Sequence, residues 1–164
     1  MNQILLAILL SIAPISELRA GIPVAISYAI SNNLSFGSTL GLIAIMILAN
    51  IAIVFALFAF LDIFHSGLLR FRFYNKFYVN YLGIIRRRID KVEENYAAYG
   101  FLGLMLFVAI PLPITGAWTG TLIAWILGLD RKKSILAISA GVIIAGIIVS
   151  IATFAGYGLL KAIF

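Results

Sequence analysis

The apolar pattern of this chain is broken twice, in the same manner. Residues 2–13 are almost wholly apolar. Then comes Pro14-Ile15-Ser16-Glu17-Leu18-Arg19-Ala20-Gly21-Ile22-Pro23, and apolar sequence resumes to Ile30. Residues 99–109 are apolar apart from Tyr99. Then comes Ile110-Pro111-Leu112-Pro113-Ile114-Thr115-Gly116-Ala117-Trp118-Thr119-Gly120, and apolar sequence resumes to Leu129. A long run follows each break: Phe36–Phe64, with Asp62 its only acidic residue, and Ser134–Leu160, with no charge. At a rise of about 1.5 Å per residue, either long run crosses a hydrocarbon core of about 30 Å as a helix. Residues 2–13 reach only about 18 Å, little more than half of that core.

Each broken segment is therefore a kinked span or a re-entrant hairpin that returns to the side it came from. The basic residues decide in favour of hairpins. Segment 65–98 carries Arg70, Arg72, Lys76, Arg86, Arg87, Arg88 and Lys91, and the short loop 130–133 is Asp130-Arg131-Lys132-Lys133. Loops rich in Lys and Arg stay cytoplasmic. Only the second break separates these two loops, so both lie inside if that segment is re-entrant. The uncharged loop Ser31-Asn32-Asn33-Leu34-Ser35 suits the outside, and the first break then opens outward. Four kinked ordinary spans are the alternative.

The expected fold class is an all-α integral membrane protein. It is an inverted repeat of a re-entrant helical hairpin plus a transmembrane helix, joined by an amphipathic cytoplasmic segment. Residues 1–164 form one membrane domain: one repeat over 1–64, a linker over 65–98 and a second repeat over 99–164, at an offset near 97 residues. The two hairpin tips are expected to meet near the midplane, where non-helical backbone survives only against protein or a watery cavity.

Composition agrees. The chain is 63% hydrophobic and 11% charged, with mean hydropathy +1.13, against about 25% charge in soluble domains. There is no cysteine, which excludes disulfides and thiol chemistry. The single histidine, His65, has no carboxylate at ligand spacing, so neither metal nor cofactor is expected. Net charge is +6, but its residues sit between apolar runs, so orientation explains them and nucleic acid is not an expected partner. Met1-Asn2-Gln3 lacks the basic start of a signal peptide, and the segment is expected to belong to the mature fold.

Glu17 and Arg19 are the only charges in the first 61 residues. Ionisable residues at membrane depth are costly and serve transport, proton relay or ligand binding. Spaced by two in a non-helical tip, they can pair as a structural ion pair. Alternatively, Arg19 holds an anionic group and Glu17 exchanges a proton or a cation. Pro14, Gly21, Pro23, Pro111, Pro113, Gly116 and Gly120 are the expected hairpin breaks. Pro23 is placed near the start of the returning half-helix, where its missing N–H costs nothing. Thr115 and Thr119 can cap the half-helix after the second break. Two half-helix N-termini together with Arg19 would favour an anion at the centre. Ser16, Arg19, Asn50, Thr115, Trp118 and Thr119 are the expected substrate-binding residues, and Glu17 the coupling-ion residue. Asn50 lines the cavity or bonds a neighbouring helix. Trp118 is a gate, a platform or filler. Asp62 and His65 relay protons or simply end a helix.

Small residues recur at four-residue spacing: Ala137, Gly141 and Ala145; Val142, Gly146 and Ser150; Gly37 and Gly41. These are close-packing faces, some of them available to a second protomer. The stretch Arg70–Tyr81 interleaves aromatic and basic residues, which suits the headgroup zone. Arg86–Glu94 reads as a charged, solvated helix. No hydrolase triad, P-loop or paired-carboxylate motif is present, so an enzyme is not expected.

The first break, from Pro14 to Ala25, resembles the signature of the family named putative small multidrug export protein. The second, from Pro111 to Gly120, resembles that family's second element. That family is similar in turn to the DedA and VTT (SNARE-associated Golgi protein-like) superfamily, whose members carry two facing re-entrant hairpins. Several of them are associated with moving lipids or polyprenyl-phosphate carriers between leaflets. The resemblance implies hairpin roles for Glu17 and Arg19. It also implies a multi-pass protein of a prokaryotic plasma membrane, with lipids and a small amphiphilic substrate as partners. Where the superfamily's second hairpin usually carries an arginine, this chain has Thr115 and Thr119. The expected activity is translocation of an anionic amphiphile, coupled to protons or sodium. The alternatives are proton-coupled export of cationic amphiphiles and a non-transporting structural protein. In this cysteine-free chain, single cysteines at Ser16 and Thr115 are expected to be labelled in intact cells from outside and from inside respectively. A swapped or uniform pattern contradicts facing hairpins.

Overall fold

The computed structural model describes residues 2–68 and 94–163. The aromatic-basic stretch of the linker and its charged helix Arg86–Glu94, apart from Glu94, lie outside these residues, as does the side chain of His65. The described residues form six helices: α1 (Gln3–Ile12), α2 (Glu17–Ser31), α3 (Phe36–Leu68), α4 (Glu94–Ala109), α5 (Ala117–Ile126) and α6 (Arg131–Ile163). Two segments are long and apolar enough to cross a membrane, Phe36–Phe64 and Arg131–Leu159.

Local chemistry explains most boundaries. The Asn2 side chain caps α1 by accepting from Ile4 N at 3.2 Å. That helix stops at Ala13, which is extended (φ −72°, ψ 141°) as a residue before proline must be. The second halves of the two broken segments end alike. Leu34 N–H donates to Ala29 O and Asn33 N–H to Ile30 O, with Asn33 at φ 51°. Leu129 N–H donates to Ala124 O and Gly128 N–H to Trp125 O, with Gly128 at φ 63°. Both are Schellman closures. Each long helix is then capped by the residue before it. Ser35 Oγ accepts from Ser38 N at 3.2 Å, and Asp130 Oδ1 accepts from Lys133 N at 2.8 Å.

These caps lie 95 residues apart, and α3 and α6 each span 33 residues. The register holds inside the helices too. Thr39, Ile43, Met46, Asn50 and Val54 are buried on α3, and Ser134, Ile138, Gly141, Ala145 and Val149, each 95 positions on, are buried on α6. The offset near 97 read from the breaks thus becomes 95 over the return helices and spans.

The long helices run antiparallel: Ile47 meets Gly146 near mid-length, and Asp62 pairs with Arg131 at one end. The α5 helix starts at the level of Asn50 and ends where the Trp125 indole donates to Asp62 Oδ1 at 3.2 Å. The α2 helix starts at the same level and runs the other way. Side chains such as Leu48, Phe55, Phe60, Ile147 and Ile151 are exposed, as on a surface whose solvent is lipid.

Several sequence expectations need correction. The return helix α2 begins at Glu17, not near Ile22, so Gly21 and Pro23 lie inside it rather than in the break. Helix–helix packing overrides their breaker character: a Cβ on Gly21 would lie 2.8 Å from Ala7 O and 3.0 Å from Ser11 Cβ, so glycine lets α1 and α2 touch. Gly120 likewise sits inside α5, where a Cβ would meet Val108 Cγ2 at 2.6 Å. The expected loop 130–133 is mostly the first turn of α6. The second broken segment is looser than a hairpin: α4 packs chiefly along α6, where a Cβ on Gly141 would lie 2.6 Å from Met105 O. Gly37 and Gly41 are exposed; among the described residues a Cβ on Gly41 would meet nothing within 4 Å and one on Gly37 would meet Ser35 Oγ at 4.0 Å.

Gly21→Val is expected to cost about 1–3 kcal/mol through overpacking, read as a lower melting midpoint in detergent. Gly41→Val, with open space around it, is expected to leave the midpoint unchanged.

Candidate functional site

The ends of α1, α2, α4 and α5 converge midway along α3. Each helix end there leaves backbone groups without intrahelical partners, and side chains from other elements satisfy them. At the C-terminus of α1, Leu10 O accepts from Ser16 Oγ at 2.7 Å. Ser11 O accepts from Asn50 Nδ2 at 2.6 Å. Ile12 O accepts from Trp118 Nε1 at 2.9 Å, and Ala13 O accepts from Glu17 N at 3.1 Å. Four successive carbonyls are thus held by two residues of the same break, one of α3 and one of α5.

The N-terminus of α5 is capped from a distance. Gly116 at its N-cap offers no side chain. Instead Glu17 Oε1, from the other break, accepts from Trp118 N at 3.2 Å. A carboxylate there also meets the positive end of the helix dipole. Gly116 is required by this approach, because a Cβ would overlap the Glu17 carboxylate. The cap expected from Thr115 and Thr119 is therefore made by Glu17. Thr115 Oγ1 instead ties its own loop, bonding Ile110 O at 2.6 Å, Leu112 O at 3.0 Å and Leu112 N at 3.1 Å. Thr119 lies in the first turn of α5.

Arg19 reaches the other way. It donates to Leu112 O in the second break and to Ile15 O in the first, the latter at 3.2 Å. Glu17 and Arg19 do not form an ion pair with each other; the structural pair allowed by their spacing is replaced by two bonds across the breaks. Among the described residues the one ion pair is Asp62–Arg131, with the Arg131 guanidinium also 5.3 Å from the Phe58 ring centroid. Both breaks hold a strained residue. Glu17 has φ 46° and Ile114 φ 76°, and a β-branched residue in that region is a true outlier. Strain of this kind collects where function demands a geometry.

Two cavities adjoin the junction. The inner one, ≈10 Å³, is lined by Glu17, Arg19, Asn50, Thr115 and Gly116 together with apolar residues of α4 and α6. The outer one, ≈300 Å³ and more open, is lined by Arg19, Pro23, Pro111, Ile148, Val149, Ala152 and Thr153. Arg19 borders both. Pro23, lacking an N–H, also leaves the Arg19 carbonyl without its intrahelical donor. Of the residues singled out in the sequence, Glu17, Arg19, Asn50 and Thr115 come together on the inner cavity. Ser16 and Trp118 instead fasten the end of α1. Sequence reasoning missed the carbonyls of Leu112 and Ile12, and gave Ala145 a packing face rather than a place on the cavity. The available signal was bookkeeping: four carbonyls ending α1 needed donors, and few polar side chains could supply them. Among the described residues no cluster of three acidic, histidine or cysteine side chains could hold a metal ion.

Glu17→Ala is expected to leave the Trp118 N–H without an acceptor, at a cost of about 1–3 kcal/mol. Glu17→Gln keeps an oxygen there and should cost less; equal melting midpoints for the two variants would contradict the cap.

No curated protein and no solved structure matches the chain. A family model matches residues 17–148, from the first residue of α2 well into α6, and so includes Glu17, Arg19, Asn50 and Thr115 of the inner cavity. The chain belongs to the family described as Putative small multi-drug export protein.

Proposed function

We propose that this protein is a membrane transporter, not an enzyme, that moves an amphiphilic anion of the phospholipid or polyprenyl-phosphate kind across the bilayer. The observation that carries this is the position of Arg19, which borders both a small chamber that Glu17, Asn50 and Thr115 also line and a larger groove lined mostly by apolar side chains. An amphiphile has that same division. Its anionic head would meet the guanidinium, strengthened by the charge on both partners, and its chains would lie against Pro23, Ile148 and Ala152.

In this proposal both breaks are re-entrant and enter from opposite faces, which makes the chain an inverted-topology repeat. The shared closures and caps 95 residues apart support it, as do return helices that start together and run to opposite ends. The Asp62–Arg131 pair supports placing segment 65–98 and the start of α6 on one side, the cytoplasmic side of a prokaryotic plasma membrane. Kinship with the DedA and VTT superfamily draws on the same facing breaks. A scaffold without transport would pair Glu17 with Arg19 in a dry centre; here the two residues border a cavity instead.

The family's name favours a second reading, export of cationic drugs bound at Glu17. Against it, one Glu17 oxygen already caps α5 and Arg19 stands beside the site. The two readings separate in liposomes carrying the purified protein. The wild type is expected to flip a fluorescent anionic phospholipid. Arg19→Ala should slow this about tenfold or more, the loss of one charged hydrogen bond. Ethidium uptake that follows the pH gradient and fails in Glu17→Gln, with no lipid flipping, would establish the exporter instead.

A further inference from the structure

Around the junction, helix ends are satisfied largely by side chains from other elements. Among the described residues, Asn50 Oδ1 is the buried side-chain polar atom without a hydrogen-bond partner. Asn50 is 1% exposed. Its orientation follows from its other contact: Ser11 O can only accept, so Nδ2 must face it and Oδ1 is turned away. Leaving such an acceptor unmatched in a dry interior costs about 1–3 kcal/mol, which calls for a ligand.

The ligand's chemistry follows from its neighbours. Asn50 shares the ≈10 Å³ inner cavity with Glu17, Arg19 and Thr115, and Thr115 Oγ1 is already bonded within its own loop. That volume holds one water-sized species. Glu17 uses Oε1 for Trp118 N, and a carboxylate retains further acceptor sites. An amide oxygen and a carboxylate are both acceptors, so they suit a cation. One carboxylate with neutral oxygens suits a monovalent ion, since divalent ions draw on more negative charge or on bound phosphates. Position 145, the counterpart of Asn50 in the 95-residue register, is a buried alanine on the same cavity. The polar site therefore belongs to one repeat only.

We propose that the Glu17 carboxylate and Asn50 Oδ1 bind a sodium ion in the inner cavity, and that it binds together with the anionic head group at Arg19. The second half rests on the transport function above; the first does not. Charge explains the joint binding. The empty site holds one carboxylate and one guanidinium and is neutral. With sodium and a monoanion it is neutral again. With either ligand alone it carries an unbalanced charge, which is costly in a low-dielectric interior. Each ligand thus raises the affinity for the other by the same factor.

The test is the melting midpoint of the full chain in nonionic detergent, in sodium, potassium and choline chloride at equal ionic strength. Sodium alone is expected to raise the midpoint, by about 2–4 °C or more at saturation. The shift should vanish in Asn50→Leu and Glu17→Gln and persist in Asn50→Asp, which keeps an oxygen in place. Should Asn50→Leu fail to fold, the wild type and the other two variants still decide. Equal wild-type midpoints in the three salts, or an unchanged sodium shift in both Asn50→Leu and Glu17→Gln, overturns the site. Decyl phosphate is the probe for the second half, and it should lower the sodium concentration giving half the shift. A sodium shift that decyl phosphate leaves unaltered overturns joint binding and counts against the anionic substrate, while the sodium site stands.

Discussion

Helix ends buried in the middle of a fold must find partners within it, and this constraint organises the centre of the molecule. An unmatched backbone group in hydrocarbon costs several kcal/mol. The chain ends four helices at one level and satisfies their groups reciprocally. Asn50 and Trp118 hold the carbonyls of α1, Glu17 holds an amide of α5, and Arg19 holds a carbonyl of the second break. Neither break is chemically complete without the other. The long helices supply the frame, with small residues at Gly141 and Gly146 letting α4 and α3 approach α6 closely.

That mutual capping leaves little freedom for other chemistry, which sharpens what remains. The Glu17 carboxylate keeps acceptor sites beyond its bond to Trp118 N, Asn50 keeps its carbonyl oxygen, and Arg19 borders both the small chamber and the open groove. Donor and acceptor are separated across the same cavity. The proposed transport assigns binding to the capacity these three groups retain beyond their structural bonds. The positive φ angles of Glu17 and Ile114 show that the two breaks are held in geometries their residues would not choose alone.

Much of the fold was legible in the sequence because hydrophobic runs and prolines act locally. Phe36–Phe64 as a span and Pro14 as a terminator follow from nearby residues, and the meeting of polar residues from the two breaks follows from the pattern the breaks share. What misled was also local in appearance. Gly21 and Pro23 look like breakers, yet the gain from packing α2 against Ala7 and Ser11 keeps them helical. Arg131-Lys132-Lys133 looks like a loop, yet Asp130 caps a helix there. The cap of α5 was illegible, because its acceptor lies about a hundred residues away and only the assembled fold brings Glu17 to Trp118. The unmatched oxygen of Asn50 was equally invisible, since it depends on which way an amide turns.

The central claim is that the two breaks touch and complete each other inside the membrane. The carbonyls of Ile15 and Leu112 share the Arg19 guanidinium, so cysteines at Ile15 and Leu112 should lie within reach of a short cross-linker. The chain has no native cysteine, and a pair at Asp62 and Arg131 serves as control. In native membranes, both pairs are expected to cross-link within one chain. Cross-linking at 62 and 131 with none between 15 and 112 would mean the breaks stand apart, and the mutual capping of the centre would be contradicted.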